Sequence, residues 1–230
     1  MRNICAIFMK QVNDTLKNKT VLIQFVMFPI MAVVMENLIQ PDAVPDGFFV
    51  KLFSVMFVGM APLTCMASIL AEEKEKNTLR VLIMSNVSPL QYLIGIGSYV
   101  FAACVLGTAV FAITGKYQGK ELASYLLIMA AGILLSEIIG AGIGIWGQSQ
   151  MAATSLTVPV MMLFSFVPML SNFNESVRKF GSVLYSQQMN EMISGIGKTL
   201  PGGKSLAIFA ANFLAAVLFF GFAFKKRGLE

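Results

Sequence analysis

Histidine is missing from the chain altogether. Its absence removes the commonest general base and metal ligand, and with them the Ser-His-Asp and Cys-His nucleophile schemes. Charge is scarce too. Only 13% of residues are Asp, Glu, Lys or Arg, and 57% are apolar, against about a quarter and about half in a soluble domain. With a mean hydropathy of +0.74, this skew implies a polytopic membrane protein, whatever domain count 230 residues would otherwise allow. Cysteine is down to three: Cys65 and Cys104 within apolar runs and Cys5 in a basic N-terminal segment. None falls in a candidate external loop, so no disulfide framework is implied. The net charge of +5 comes from Lys and Arg scattered between apolar runs, with no aromatic-interleaved basic face. That pattern argues against nucleic acid as a partner and for membrane orientation.

What is present is a series of apolar runs, each near the roughly 20 residues a helix needs to cross a bilayer. Six spans are predicted: Val21–Leu38, Phe48–Leu70, Gln91–Thr114, Leu122–Trp146, Met151–Leu170 and Leu206–Phe224. Residues 1–19 place Ile4, Ile7, Phe8, Val12, Thr15 and Leu16 at helical spacing, with Lys10, Asn13, Asp14 and Lys17 on the other side. This is the pattern of an amphipathic helix lying along the headgroups, and no small-residue cleavage site suggests a removed signal peptide. Counting Lys and Arg places ten on the side of the two termini and of the connection after the second span, against seven on the other. The positive-inside rule then puts both termini in the cytoplasm. The segment 171–204 is external on this topology. It carries Phe173, Val177, Phe180, Leu184, Met189 and Ile193, too apolar for a solvated loop, so short helices on or partly within the outer leaflet are expected.

Three stretches imitate nucleotide sites. Gly197-Lys198-Thr199 and Gly203-Lys204-Ser205 would need glycine at 192 and 198 to complete a phosphate-binding loop, but Met192 and Lys198 stand there. Gly142 to Gly147 fits G-x-G-x-x-G but ends an apolar run instead of following a strand. Gly140 and Gly144 form a G-x-x-x-G pair suited to close helix packing, which leaves Trp146 at an interface. No cofactor or metal is expected on this chain, and no bond chemistry.

Two features remain. Glu137 is a lone acid well inside the fourth span. Acidic residues at a helix centre cost on the order of 2–4 kcal/mol, so it is either a cation or proton site or the partner of a polar group on a neighbouring helix. The second is AEEKEKNTLRVLIMS, Ala71 to Ser85, with six charges between Glu72 and Arg80. Glu72 and Lys76 form an (i, i+4) acid–base pair if helical, and Leu79, Leu82, Ile83 and Met84 make a short apolar patch. Such a segment suits docking to a soluble partner; equally, it suits a solvated connector that sets topology.

The stretch AEEKEKNTLRVLIMSNVSPLQYLIG resembles the signature between the second and third spans of ABC type-2 exporter permeases, E-[KR]-E-x-G-T-L followed by L-x-x-S-P-[VL]-S. Glu73, Lys74, Glu75, Thr78, Leu79, Leu82, Ser85, Val87 and Ser88 fall at matching positions; Asn77 stands where glycine is usual and Asn86 where proline is usual. The resemblance implies an all-α membrane protein, a single transmembrane domain over 1–230. In it, residues 1–19 form an elbow helix, 72–89 carry a coupling helix, and 171–204 hold short re-entrant helices. It further implies that Glu72, Glu73, Lys74, Glu75, Thr78, Leu79, Leu82 and Ile83 dock to a separate ATPase subunit. ATP and Mg would be bound there and not here. Two ATPases and a second six-span subunit, same or different, would complete the assembly in a bacterial plasma membrane. Charge reversal at Glu73 and Glu75 would weaken the docking. A lipophilic drug or antimicrobial peptide is the expected cargo, with a role in resistance; a polysaccharide or lipid-linked glycan is the alternative. An ATP-independent proton- or ion-coupled carrier built on Glu137 is a different class of reading, although the inverted repeats typical of such carriers are not evident.

Overall fold

The computed structural model describes residues 2–39, 45–78, 84, 87–197 and 202–227. Among them every regular element is a helix: α1 (Arg2–Lys17), α2 (Lys19–Leu38), α3 (Phe48–Glu75), α4 (Pro89–Thr114), α5 (Gly119–Trp146), α6 (Gln150–Ser171), α7 (Glu175–Gly181), α8 (Tyr185–Ser194) and α9 (Gly203–Arg227). Six of these, α2, α3, α4, α5, α6 and α9, are long and apolar enough to cross a membrane. The chain is a multi-pass membrane protein.

Helix ends depart from the hydropathy boundaries for local reasons. Helix α4 begins at Pro89, two residues before the apolar run, because Ser88 and Gln91 form a capping box and Pro89 occupies the first helical position. Ser88 accepts from the Gln91 amide at 3.2 Å, and the Gln91 side chain accepts from the Ser88 amide at 3.3 Å. Helix α3 continues five residues past Leu70 through its charged turn and stops at Asn77, whose φ of 54° is left-handed. Asparagine is one of the few residues besides glycine that adopts this conformation readily. At the other end of α3, the Gly47 and Phe49 amides donate to the two Glu36 carboxylate oxygens at 2.6 and 3.2 Å. An acid ending α2 thus satisfies the positive pole of α3.

Helix α3 is the axis of the bundle: 72% of its apolar window is buried, against 22% for α2 and α6 and 11% for α9. Close approach is made possible by small residues. A Cβ at Gly140 of α5 would stand 2.4 Å from the Leu63 carbonyl oxygen, and one at Gly144 would stand 2.8 Å from that of Ala67. On the opposite flank of α3, a Cβ at Gly59 would meet the Phe164 backbone of α6 at 2.8 Å, and Ser165 donates to the Met56 carbonyl at 3.2 Å. Backbones this near gain dispersion contacts, which drive helix association where the surrounding solvent is itself apolar.

The connection from α6 to α9 folds inward. The Tyr185 hydroxyl at the start of α8 lies 2.6 Å from the Ser136 hydroxyl, which itself donates to the Val58 carbonyl at 2.7 Å. The Met189 sulfur packs over Gly132, and Gly197 lies beside Glu121. Measured along α5, the segment therefore runs from Ser136 out to Glu121, fifteen residues or about 22 Å. Tyr185, Ser186, Gln187, Gln188, Met189 and Asn190 are all buried. Here the polar backbone and side chains at membrane depth are covered by protein, as an apolar solvent requires. Phe173, Phe180 and Val183 by contrast point outward.

Candidate functional site

The end of α3 near the chain termini gathers charges that look redundant in the sequence, and each has a separate job. Glu72 pairs with Lys76 one turn on. Glu73 is buried; its carboxylate meets Lys10 of α1 and accepts from the Thr78 hydroxyl. Lys74 donates to the Ile145 carbonyl at 3.1 Å, at the negative pole of α5. Glu75 accepts from the Gln150 amide at 2.6 Å, at the positive pole of α6. Acid and base thus sit at the helix poles that complement them, and the short turn between α5 and α6 is held from both sides. Ser149 adds an N-cap by accepting from the Ala152 amide at 3.2 Å. Beside this turn Trp146 stacks on Phe222, and Lys226 lies 5.1 Å from its ring centroid. One turn of α3 therefore joins α1, α5 and α6.

This arrangement changes the meaning of the cluster. The sequence suggests exposed charges awaiting a partner, whereas Glu73 is only 7% exposed and already paired. What faces outward comes next: Glu75, Lys76 and Asn77 are exposed, Thr78 is half-buried, and Met84 is 81% exposed. Beside Glu72, the Lys76 ammonium is held above its ordinary pKa by the hydrogen bond and charge of that carboxylate. Leu79, Arg80, Leu82, Ile83, Ser85 and Asn86 lie outside the described residues.

Glu137 occupies a different place, nine residues along α5 from Trp146 or about 13 Å. It is 6% exposed, and its carboxylate makes no hydrogen bond among the described residues. A Cβ added at Gly97 of α4 would stand 3.7 Å from its Oε2. Cys65 and Cys104, both free thiols, lie within electrostatic reach. A buried carboxyl without a hydrogen bond is costly and is a standard sign of function. Among the described residues, no three His, Cys, Asp or Glu side chains come together as a metal site.

Several partners escaped the sequence reading. The S-P-L-Q capping box at Ser88 was available as a local signal. The pairs Lys10–Glu73, Lys74–Ile145 and Thr15–Tyr99 join residues 63 to 84 positions apart; no local pattern announces them. Comparison with protein-family models and with curated proteins returns no match to this chain.

Proposed function

We propose that the chain is the membrane-embedded subunit of an ATP-driven exporter of the ABC type-2 kind, with the segment after α3 docking to a separate ATPase. The observation that supports this most directly is the anchored turn at Glu72–Lys76. A segment that transmits force must be rigid at its root and free at its tip. Here the root is tied to α1, α5 and α6, while Lys76, Asn77 and Met84 project outward. An exposed methionine supplies an adaptable apolar anchor, and flanking charge sets register. Displacement of the tip would pass into α3, the most buried helix, and so into α5 and α6 together. The outward faces of α2, α6 and α9 leave room for bilayer and for a second six-span subunit. A lipophilic drug or peptide remains the cargo best suited to such apolar walls.

The test is co-purification with an ATPase encoded beside this chain. Lys76→Glu and Met84→Asp change the exposed tip and should reduce recovery of the ATPase without lowering thermal stability. Glu73→Lys is a poorer probe, because it also breaks the Lys10 pair. The purified chain alone should hydrolyse no ATP. Labelling of a cysteine placed at Lys76 from the outside of intact cells would refute the reading.

A second reading has its own support in the unpartnered Glu137: an autonomous proton- or cation-coupled carrier. It requires transport by the purified chain without any ATPase, and loss of that transport in Glu137→Gln.

A further inference from the structure

Between α1, α2 and α4 runs an apolar groove of about 520 Å³, open along one side. Its walls include Leu16 of α1, Leu22, Val26 and Ile30 of α2, and Leu106 and Val110 of α4. All six are exposed within the chain. The volume falls within the range of small-molecule sites, but the dimensions point to something elongated. Along α2 the groove extends from Leu22 to Val34, and along α4 from Tyr99 to Val110. At 1.5 Å per residue these are about 18 and about 16 Å. One leaflet of a bilayer contributes about 15 Å of hydrocarbon, so the groove is one acyl chain long.

Charge marks one end of it. The groove-lining stripe of α2 repeats every three or four residues, Leu22, Val26, Ile30 and Val33. Extended one turn back, that stripe begins at Lys19. Lys17, ending α1, directly follows Leu16. Both lysines are exposed, and neither makes an ion pair among the described residues. The other cations nearby are committed, Lys10 to Glu73 and Lys76 to Glu72. They belong, with Asp14, to a separate polar cavity of about 340 Å³ on the far side of Thr15. Val21 borders that cavity together with Ile69 and Glu72, so the first turn of α2 lies level with the charged end of α3. The Thr15–Tyr99 hydroxyl pair separates the two spaces.

We infer that this groove is a binding site for an anionic phospholipid of the leaflet nearer the chain termini, with one acyl chain between α2 and α4 and the phosphate at Lys17 and Lys19. The match is of length to a single leaflet, and of free positive charge to the headgroup at the correct end. A zwitterionic lipid would fill the same groove but gain little from the lysines.

Native mass spectrometry of the full chain released from detergent, after incubation with phosphatidylglycerol or phosphatidylcholine, tests it. Phosphatidylglycerol adducts should be retained over phosphatidylcholine by roughly fivefold for each lysine engaged. The exposed double variant Lys17→Gln/Lys19→Gln should abolish the preference while leaving the unfolding temperature unchanged. Leu106→Phe, at a position 73% exposed, narrows the groove and should lower the adducts of both lipids. Equal retention of the two lipids by the parent chain would overturn the inference, as would a preference that survives loss of both lysines. A lipid-free dimer would assign the groove to a second copy and overturn it too.

Discussion

Asn77 shows how much a single backbone angle can settle. The position ends α3 in a left-handed conformation, φ 54°, with its amide donating to the Lys74 carbonyl at 3.1 Å. Glycine takes that conformation freely, and asparagine takes it better than other side chains. This explains in physical terms why the residue standing where permeases of the type-2 kind usually carry glycine need not alter the turn. Asn77→Gly should leave stability within about 0.5 kcal/mol, whereas Asn77→Val should cost about 1–2 kcal/mol. Trp146, the only tryptophan, reports unfolding by its fluorescence in detergent. A valine variant as stable as the parent would show that the turn relaxes elsewhere. Glu137 belongs to this scale as well. In Glu137→Gln, an exporter driven by a separate ATPase should keep its ATP-dependent transport, while a carrier built on the acid should lose all transport. Proteoliposome flux with and without the ATPase reads both outcomes.

At the level of helices, two kinds of contact hold the bundle. The α3–α5 seam depends on Gly140, where any Cβ would sit 2.4 Å from a carbonyl oxygen that cannot move aside without its helix. Gly140→Ala should therefore cost about 1–3 kcal/mol through overpacking. At Gly221 of α9 an added Cβ would meet nothing within 4 Å, so Gly221→Ala should be neutral or slightly stabilising, by up to about 1 kcal/mol. Comparable losses in the two variants would show that the seam adjusts. The second kind of contact is ionic. Lys10 and Glu73 join α1 to α3, with the lysine 43% exposed and the glutamate 9%. Water screens the lysine side, so their coupling should be about 1 kcal/mol. Lys10→Glu and Glu73→Lys should each destabilise, and the swapped double variant should recover part of the loss. Additive losses in that cycle would deny the pair any coupling.

For the molecule as a whole, the legibility of the sequence followed the range of the forces involved. The six spans could be read because burial in a bilayer depends on runs of roughly 20 residues, and the helices of the structure overlie those runs. The amphipathic N-terminal segment was also visible, since its period is local: Ile7 is buried while Lys10, Asn13, Asp14 and Lys17 are exposed. Leu16 departs from that pattern. It lies on the apolar stripe yet is 67% exposed, because it borders the groove and not the packed face against α4. The inward fold of 185–194 could be anticipated only as an excess of apolar residues. Its depth is set by Tyr185 meeting Ser136, 49 positions away.

The chain's own order of residues determined that it crosses a membrane six times, where each crossing lies, and that acid and base are concentrated after the second. Those properties come from composition and short-range periodicity, which act within one helix. Tertiary structure alone decided what the concentrated charges do: Glu73, Lys74 and Glu75 face three different helices, and Glu137 faces none that can hydrogen-bond it. The reason is geometric. A charged side chain's partner is chosen by which helix pole or opposite charge packing brings within about 3 Å, and packing is a property of the assembled bundle.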